Sequence, residues 1–532
     1  MSTTKGNRAY IFGITLVATL GGLLFGYDTA VISGAVGSLQ YNFVDPLKDN
    51  AELALSVIQS FKITMVIVYY MVAILVGALL SKLFNKSFRI VFLSALFGTL
   101  TIWSVYYLNQ ESLISEELLN SLKGFTISSA LVGCILGGGV AGFISITMGR
   151  KNGLVLSAVL FTISSLGAAY PETFNFMPTE PVFSFIFYRI IGGIGIGIAS
   201  MLSPMYIAEI APAEIRGNLV SWNQFSIIFG MLLIYFVNYA ISKQGDETWL
   251  HTIGWRYMFL SGAIPSILFL GLLFLVPKSP RFLVLKGYNE KALKVLKKIV
   301  GESQAPIILK DIEGTLHEKS VPWLSFGGLI IIVGVLLSVF QQFIGINVVL
   351  YYAPEIFKTM GSQTDNSLLQ TIIVGAVNLS FTVIAIYTVD RLGRKPLMIV
   401  GALLMAVSMF LLGIAFYSNN LGVMSLIYML TYTAGFAMSW GPVTWVLLSE
   451  IFPNSIKGAM SIAVAAQWLA NLIISWTFPM MNDNTWLTAM FNHGFAYWIY
   501  GLMGLLAAVF VWRLVPETKG KTLEEIESIW KK

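Results

Sequence analysis

The sequence predicts an all-α integral membrane protein: two parallel six-helix halves, with an extra two-helix hairpin inserted after the first span. Three observations carry that prediction. The first is composition. Of 532 residues, 56% are hydrophobic and 11% charged, where a soluble domain carries about 25% charged residues; a soluble chain this apolar could not cover its own surface. The second is that apolar residues come in long runs, as at 12–32, 127–146, 183–205, 225–241, 259–276, 326–344 and 495–511. Crossing a hydrocarbon core of about 30 Å takes about 20 helical residues. Backbone amides cannot stay unpaired in lipid, so continuous helix is the reading for such runs. The third is an internal duplication. Gly149-Arg150-Lys151 recurs as Gly393-Arg394-Lys395, and the run from Glu209 to Gly217 recurs from Glu450 to Gly458. Gln224 and Gln467 hold equivalent places on the helices that follow. The nearly constant offset implies two copies of one design.

Taken in order, fourteen spans fall near residues 10–35, 63–80, 89–107, 126–147, 153–171, 183–208, 218–241, 257–276, 324–345, 368–389, 396–416, 423–448, 458–478 and 496–514. The first is not a cleaved signal peptide, because its apolar core is too long and contains Asp28. The second and third are shorter, and the connector between them carries Lys82, Lys86 and Arg89. An inserted pair of crossings leaves every later orientation unchanged, which favours true spans over a re-entrant or interfacial hairpin. Threaded alternately from a cytoplasmic N-terminus, 26 of the 33 Lys and Arg residues fall inside. The exceptions are Lys48, Lys62, Lys123, Lys243, Arg256 and Lys358 outside, and Arg189 within a span. That bias places both termini in the cytoplasm. It also accounts for the net charge of +6 without a nucleic-acid partner. Both copies of each repeated motif then lie on one side, so the halves are parallel. The expected division is an N-terminal membrane half at 1–276, with the hairpin at about 57–110, then a lysine-rich amphipathic helical linker at 277–322. A C-terminal membrane half at 323–516 and a cytoplasmic tail at 517–532 complete it.

Asp28 is the most informative single residue. A carboxylate in mid-span costs about 2.5–3.5 kcal/mol on insertion scales and is a functional candidate by default. Arg189, the one basic residue away from a span end, is its natural partner. Such a pair is either a structural ion pair or a proton switch, in which protonating the acid frees the guanidinium and biases one conformation. Amides in or beside apolar spans, at Gln224, Gln341, Gln342, Asn347, Asn378, Gln467 and Asn471, can donate and accept without a charge to desolvate. They suit a neutral solute rich in hydroxyls, although each alone is more often a helix-packing hydrogen bond. Asn347 and Tyr351 are four apart on one helical face. Trp440 offers a stacking surface, with Phe25 and Trp468 as further aromatic candidates. Gly345 and Pro354 bracket a stretch expected to break its helix, as do Gly441 and Pro442 after Trp440. The charges Glu209, Arg216, Arg391, Arg394, Glu450 and Lys457 are expected to pair between helix ends as a cytoplasmic gate, or else to be solvated topology charges. Surface pairs alone are weak, so a gate needs a network.

Several motifs occur in order: the run from Gly21 to Asp28, the run from Tyr188 to Gly195, the run from Gln341 to Tyr352, Asp390-Arg-Leu-Gly-Arg394, Trp440-Gly-Pro442 and Pro516-Glu-Thr-Lys-Gly520. On these the chain resembles the sugar porter family of the major facilitator superfamily, and in particular bacterial D-xylose:proton symporters, over nearly its whole length except about residues 45–115. The resemblance implies the major facilitator fold and import of a monosaccharide, D-xylose first, by alternating access with protons. It implies a multi-pass protein of the bacterial inner (plasma) membrane, expected to work as a monomer in the lipid bilayer. It assigns Asp28 and Arg189 to proton coupling. Gln224, Gln341, Gln342, Asn347, Asn378, Trp440 and Gln467 match the family's sugar contacts. The alternatives are an uncoupled hexose, pentose or polyol uniporter and a transport-inactive sugar sensor. There are departures. Gly262 stands where the xylose symporters have a second acid, and Met231 where they have a glutamine. Ile146 and Thr147 degrade the first gate motif, Lys457 replaces an arginine, and Lys278 interrupts the proline-rich pattern at 277–281.

Enzymatic readings fail. Gly520-Lys521-Thr522 ends like a phosphate-binding loop, but Val515 occupies the first glycine position and no strand precedes it. The glycines at 193, 195 and 197 lie within a span, where they suit close helix packing. One cysteine, Cys134, and three histidines without ligand spacing give no disulfide and no metal site. No cofactor is expected.

Overall fold

The computed structural model describes residues 7–81, 83, 86–110, 114–175, 180–212, 215–315, 322–452, 456, 460–521, 525 and 530, with the backbone alone at 86, 87, 315 and 390. Every regular element among them is helical. The first crossing is α1 (Arg8–Ala30) continued by α2 (Ile32–Phe43). The inserted hairpin is α3 (Ala51–Ser81) and α4 (Lys86–Asn109). Then come α5 (Glu116–Thr147), α6 (Arg150–Ala169), α7 (Pro181–Ile210), α8 (Arg216–Ser242) and a crossing made of α9 (Trp255–Ser261) and α10 (Ala263–Leu273). Three short helices at Pro280–Leu285, Asn289–Val300 and Ala305–Thr315 lead to the second set. That set is α11 (Gly328–Phe343), α12 (Ile346–Thr359), α13 (Thr364–Leu392), α14 (Arg394–Tyr417), α15 (Val423–Met438), α16 (Trp440–Ile451), α17 (Met460–Asn482) and α18 (Phe495–Leu514).

Thirteen helical stretches among the described residues are long and apolar enough to cross a membrane. The fourteenth expected span is present as α15 and α16, which a break at Ser439 (φ −129°, ψ −87°) splits into two pieces. The sequence places this break at Gly441-Pro442. Pro442 in fact sits in the first turn of α16, where a missing N–H has no partner to lose. The break at Gly345 is where expected. Its φ of +92° is the left-handed region open to glycine, and a Cβ there would stand 2.7 Å from the Tyr500 ring. The hairpin helices extend beyond the expected spans because the sequence reading stops at Lys62. The structure buries that amine instead: Nζ donates to the Gln110 carbonyl at 2.8 Å and lies 5.7 Å from the Tyr107 ring.

Helices α5 and α6 pack on α7, α1 on α8, and α10 on α6; in the second set α14 packs on α15 and α18, α11 on α17, and α13 on α15. The two sets meet where α5 lies against α17, α8 against α13, and α2 against α12. The hairpin helix α3 rests on both α5 and α17. Ile102, Phe143, Ile264, Leu275 and Val423 are each more than 70% exposed. Side chains this apolar turned outward around the bundle suit a hydrocarbon solvent rather than water.

The ends of the bundle differ. At the end opposite the two termini, the sets are tied together. Lys123 pairs with Asp483 at 2.6 Å, Lys243 with Asp365 at 2.5 Å, and Trp476 Nε1 donates to the Ser121 carbonyl at 3.0 Å. Gly124 of α5 lies so close to α17 that a Cβ would overlap the Trp476 carbonyl oxygen. Glycine permits that approach, and this end is closed.

Candidate functional site

Two polar clusters lie inside this apolar bundle. The first is the ion pair. Arg189, on α7, is 1% exposed and Asp28, on α1, is 8%. Arg189 Nη1 donates to both carboxylate oxygens at 3.1 Å, and Nη2 donates to the Asp28 backbone carbonyl at 3.0 Å. Phe259 places its ring 5.5 Å from the guanidinium. The carboxylate therefore holds one nitrogen of its partner while the backbone holds the other, so part of the grip survives loss of the charge. Small residues bring the helices together here: Gly192 of α7 faces Ser164 of α6 and the Asp28 carboxylate.

The second cluster is a chain of amides formed where two helices break. Gln341 and Gln342 end α11, Asn347 opens α12 beyond Gly345, Trp440 opens α16 beyond Ser439, and Gln467 lies on α17. Asn347 Nδ2 donates to Gln342 Oε1 at 2.5 Å, and Gln342 Nε2 to Gln341 Oε1 at 3.1 Å. Gln467 Nε2 also donates to Gln341 Oε1, at 2.5 Å. Gln341 Nε2 ends the chain on the Trp440 carbonyl at 3.0 Å. One acceptor is left over: Gln467 Oε1 is buried and has no partner among the described residues. Such a group carries a cost of about 1–3 kcal/mol that a hydroxyl donor would relieve. Beside it, the rings of Phe25 and Trp468 meet at 5.6 Å across the two helix sets.

One helical turn links the clusters on each element involved. Phe25 precedes Asp28 by three residues on α1, Asn347 precedes Tyr351 by four on α12, and Gln467 precedes Asn471 by four on α17. Tyr351 is buried, lies beside the Asn471 side chain, and is within electrostatic reach of Arg189.

Not every expected residue joins in. Gln224 is half-buried on α8 and Asn378 is buried on α13, and neither side chain joins the amide chain. Trp440 borders the amides through its backbone, but its ring is fully buried and Nε1 donates to the Met398 carbonyl at 2.9 Å. In this conformation it offers no open stacking face. A recess of about 580 Å³ near Asp246, Lys358 and Asp365 lies at the closed end, outside both clusters.

Of the expected gate charges, Arg394 and Glu450 pair with each other, and Glu209 pairs outside the set. Glu209 is bound by Arg150, at 2.7 Å, and by the Ser279 hydroxyl. Glu450 is bound by Arg394 at 2.9 Å and by the Thr518 hydroxyl at 2.6 Å. Both pairs stay within one helix set. Among the described residues Arg216 donates to the Ala211 carbonyl at 3.4 Å, and the Arg391 side chain is exposed. The reason is geometric: a helix end is nearest to the start of the helix packed antiparallel beside it, which is where the Gly-Arg-Lys motifs lie. Lys457 lies outside the described residues. Arg150 and Glu517 are the functional candidates that the sequence reading missed, although both stand within motifs it quoted.

Glu517 caps α14, accepting from the backbone N–H groups of Arg394 at 3.2 Å and Lys395 at 3.0 Å. Burial would raise its carboxyl, but the backbone N–H groups of Lys519, Lys395, Arg394 and Thr518 hold it below the ordinary value of 4.5. A depressed carboxyl contributes stability that is complete above its unfolded value and is lost as pH falls through the folded one. Glu517→Gln should therefore cost about 1 kcal/mol at neutral pH. In detergent thermal-shift measurements its gap from the parent should close in acid below 4.5. A gap that does not change with pH would contradict this.

The Sugar (and other) transporter family matches residues 14–530. The D-xylose-proton symporter of Escherichia coli K12 is 53% identical, over 99% of this chain and 97% of its own. Among solved structures, the E. coli xylose transporter XylE in a partially occluded inward-open conformation matches with a TM-score of 0.77 at 50% identity, over 97% of this chain and all of that one. The proton:xylose symporter XylE of the major facilitator superfamily, bound to 6-bromo-6-deoxy-D-glucose, matches with 0.73 at 53% identity, over 98% of this chain and all of that one.

Proposed function

The chain belongs to the sugar (and other) transporter family, and we propose that it imports a monosaccharide, D-xylose, together with protons by alternating access. One observation carries the reading: one bundle holds both the buried Asp28–Arg189 pair and an amide cluster with an acceptor that has no partner among the described residues. The first is chemistry for a proton, the second for a neutral polyhydroxyl solute, and no charge is needed to hold the solute.

In this reading Asp28 takes the proton. Protonation removes the charge that Arg189 faces while leaving its bond to the Asp28 backbone, so the guanidinium must find compensation elsewhere. Tyr351 and Asn471 lie between it and the amides, and they pass the change on. Sugar hydroxyls replace the mutual bonds of Gln341, Gln342, Asn347 and Gln467, with Phe25 as the apolar wall. Gln224 and Asn378 approach as the helix sets close, and Trp440 turns a ring face toward the sugar. The charge bias among connectors supports placing both termini in the cytoplasm, with the closed end outward. Residues 277–322 then join two membrane halves, 1–276 and 323–516, followed by a tail at 517–532. Glu209, Arg216, Arg391, Arg394, Glu450 and Lys457, with Arg150, line the cytoplasmic gate. All these groups come from one chain, which supports a working monomer in the plasma membrane.

The test is direct. Adding D-xylose to proteoliposomes without an imposed gradient should drive protons inward and make the medium alkaline. Sugar entry with no proton movement would overturn the coupling. Within the amide cluster, Gln341→Ala strands Gln342 and Gln467 without their acceptor. Affinity for D-xylose should fall about ten- to a hundredfold, measured by calorimetry on the purified protein; unchanged affinity would remove Gln341 from the site.

A further inference from the structure

On the reading that Asp28 is the proton site, we propose that Ser164 is a positioning residue for the proton. Its hydroxyl holds one water against the Asp28 carboxylate, and the proton arrives and leaves through that water. A Cβ built on Gly192 would overlap Ser164 Oγ outright and stand 3.4 Å from Asp28 Oδ2. The two oxygens are therefore within about 6 Å of each other, a distance that two hydrogen bonds of ~2.8 Å through one water can span. They do not bond directly, because Ser164 Oγ is fully buried and has no partner among the described residues. A buried hydroxyl left so costs about 1–3 kcal/mol, and a water shared with a carboxylate removes that cost. A third polar group stands beside them. Arg189 Nε is buried and likewise without a partner, on the guanidinium whose Nη1 donates to Asp28 Oδ2 at 3.1 Å. Gly192 is what lets Ser164 and Asp28 come this near, since a Cβ there would overlap the Ser164 hydroxyl.

The charged and titratable groups facing the pair from other helices are Cys134 of α5, within electrostatic reach of Asp28 and Arg189, and Tyr351 of α12, within reach of Arg189. From α9, Phe259 contributes an apolar ring. The sequence passes over Ser164 because a small hydroxyl residue inside an apolar run disturbs neither hydropathy nor periodicity.

The water donates to the charged carboxylate and so favours it. Without it, the charged carboxylate loses one hydrogen bond. In proteoliposomes, Ser164→Ala should move the midpoint of the pH profile of proton-driven xylose uptake toward alkaline by about half a pH unit or more. Ser164→Thr, which keeps the hydroxyl, should restore the parent profile. Sugar counterflow, which needs no net proton movement, is the control for folding. A Ser164→Ala profile that superimposes on the parent overturns the proposal. So does a Thr variant as shifted as Ala, since packing would then be the cause. Asp28→Asn is measured alongside: if it keeps uphill uptake, the coupling assignment itself fails, whereas loss there with an unshifted Ser164→Ala removes Ser164 alone.

Discussion

Asp28→Asn is expected to abolish accumulation of D-xylose against its gradient while sugar exchange across the membrane continues. The asparagine keeps an oxygen that can accept from Arg189 Nη1, and the backbone carbonyl still takes Nη2, the bond of 3.0 Å seen here. The site therefore stays organised, but it can no longer bind and release a proton. Losing one partner of a buried ion pair outright costs about 3–5 kcal/mol, so Asp28→Ala would be a poorer experiment, mixing instability with uncoupling. The expected reading for Asn is a ratio of internal to external sugar near one, with counterflow of the same order as the parent. Accumulation at the parent level would end the case for Asp28.

The second large effect concerns the closed end. Gly124→Val should shift the protein away from the conformation described here. The added Cβ would overlap the Trp476 carbonyl oxygen, and this is backbone that cannot rotate aside. Overpacking of this kind costs about 1–3 kcal/mol, which lowers the ratio of closed to open protein by about five- to a hundred-and-fifty-fold. A conformation that parts Gly124 from Trp476 carries no such cost. Net transport should fall, by at most that factor, while sugar binding persists. Spin labels on cysteines replacing Glu117 and Trp486, both exposed at this end, should report a longer distance in the variant. An unchanged distance with normal transport would show that the end never needs this contact.

Much of the architecture could be read along the chain because lipid imposes a one-dimensional rule. A helix must be long and apolar enough to cross, and its flanking charges show which way it points. The rule failed where a charge was buried and satisfied, as at Lys62, and where a break depended on tertiary fit, as at Ser439. Asp28 and Arg189 stood out because charge is scarce in such spans, and the structure joins them. The amides were visible as residues, but not their order. That Gln341 receives both Gln342 and Gln467 depends on α17 coming beside α11, a non-local fact. Trp440 shows the opposite limit, since residue type suggested an open ring and packing buries it. Of the gate charges, Arg394 and Glu450 pair with each other, whereas Glu209 takes Arg150, which lies on the antiparallel neighbour.

The central claim is that sugar and proton move together. Proteoliposomes carrying the purified protein, loaded at neutral pH and placed in acidic medium with labelled D-xylose, test it most directly. Coupling predicts internal sugar well above the external concentration, collapsing when a protonophore is added. Equilibration to the external concentration, the same with and without the gradient, would contradict the account.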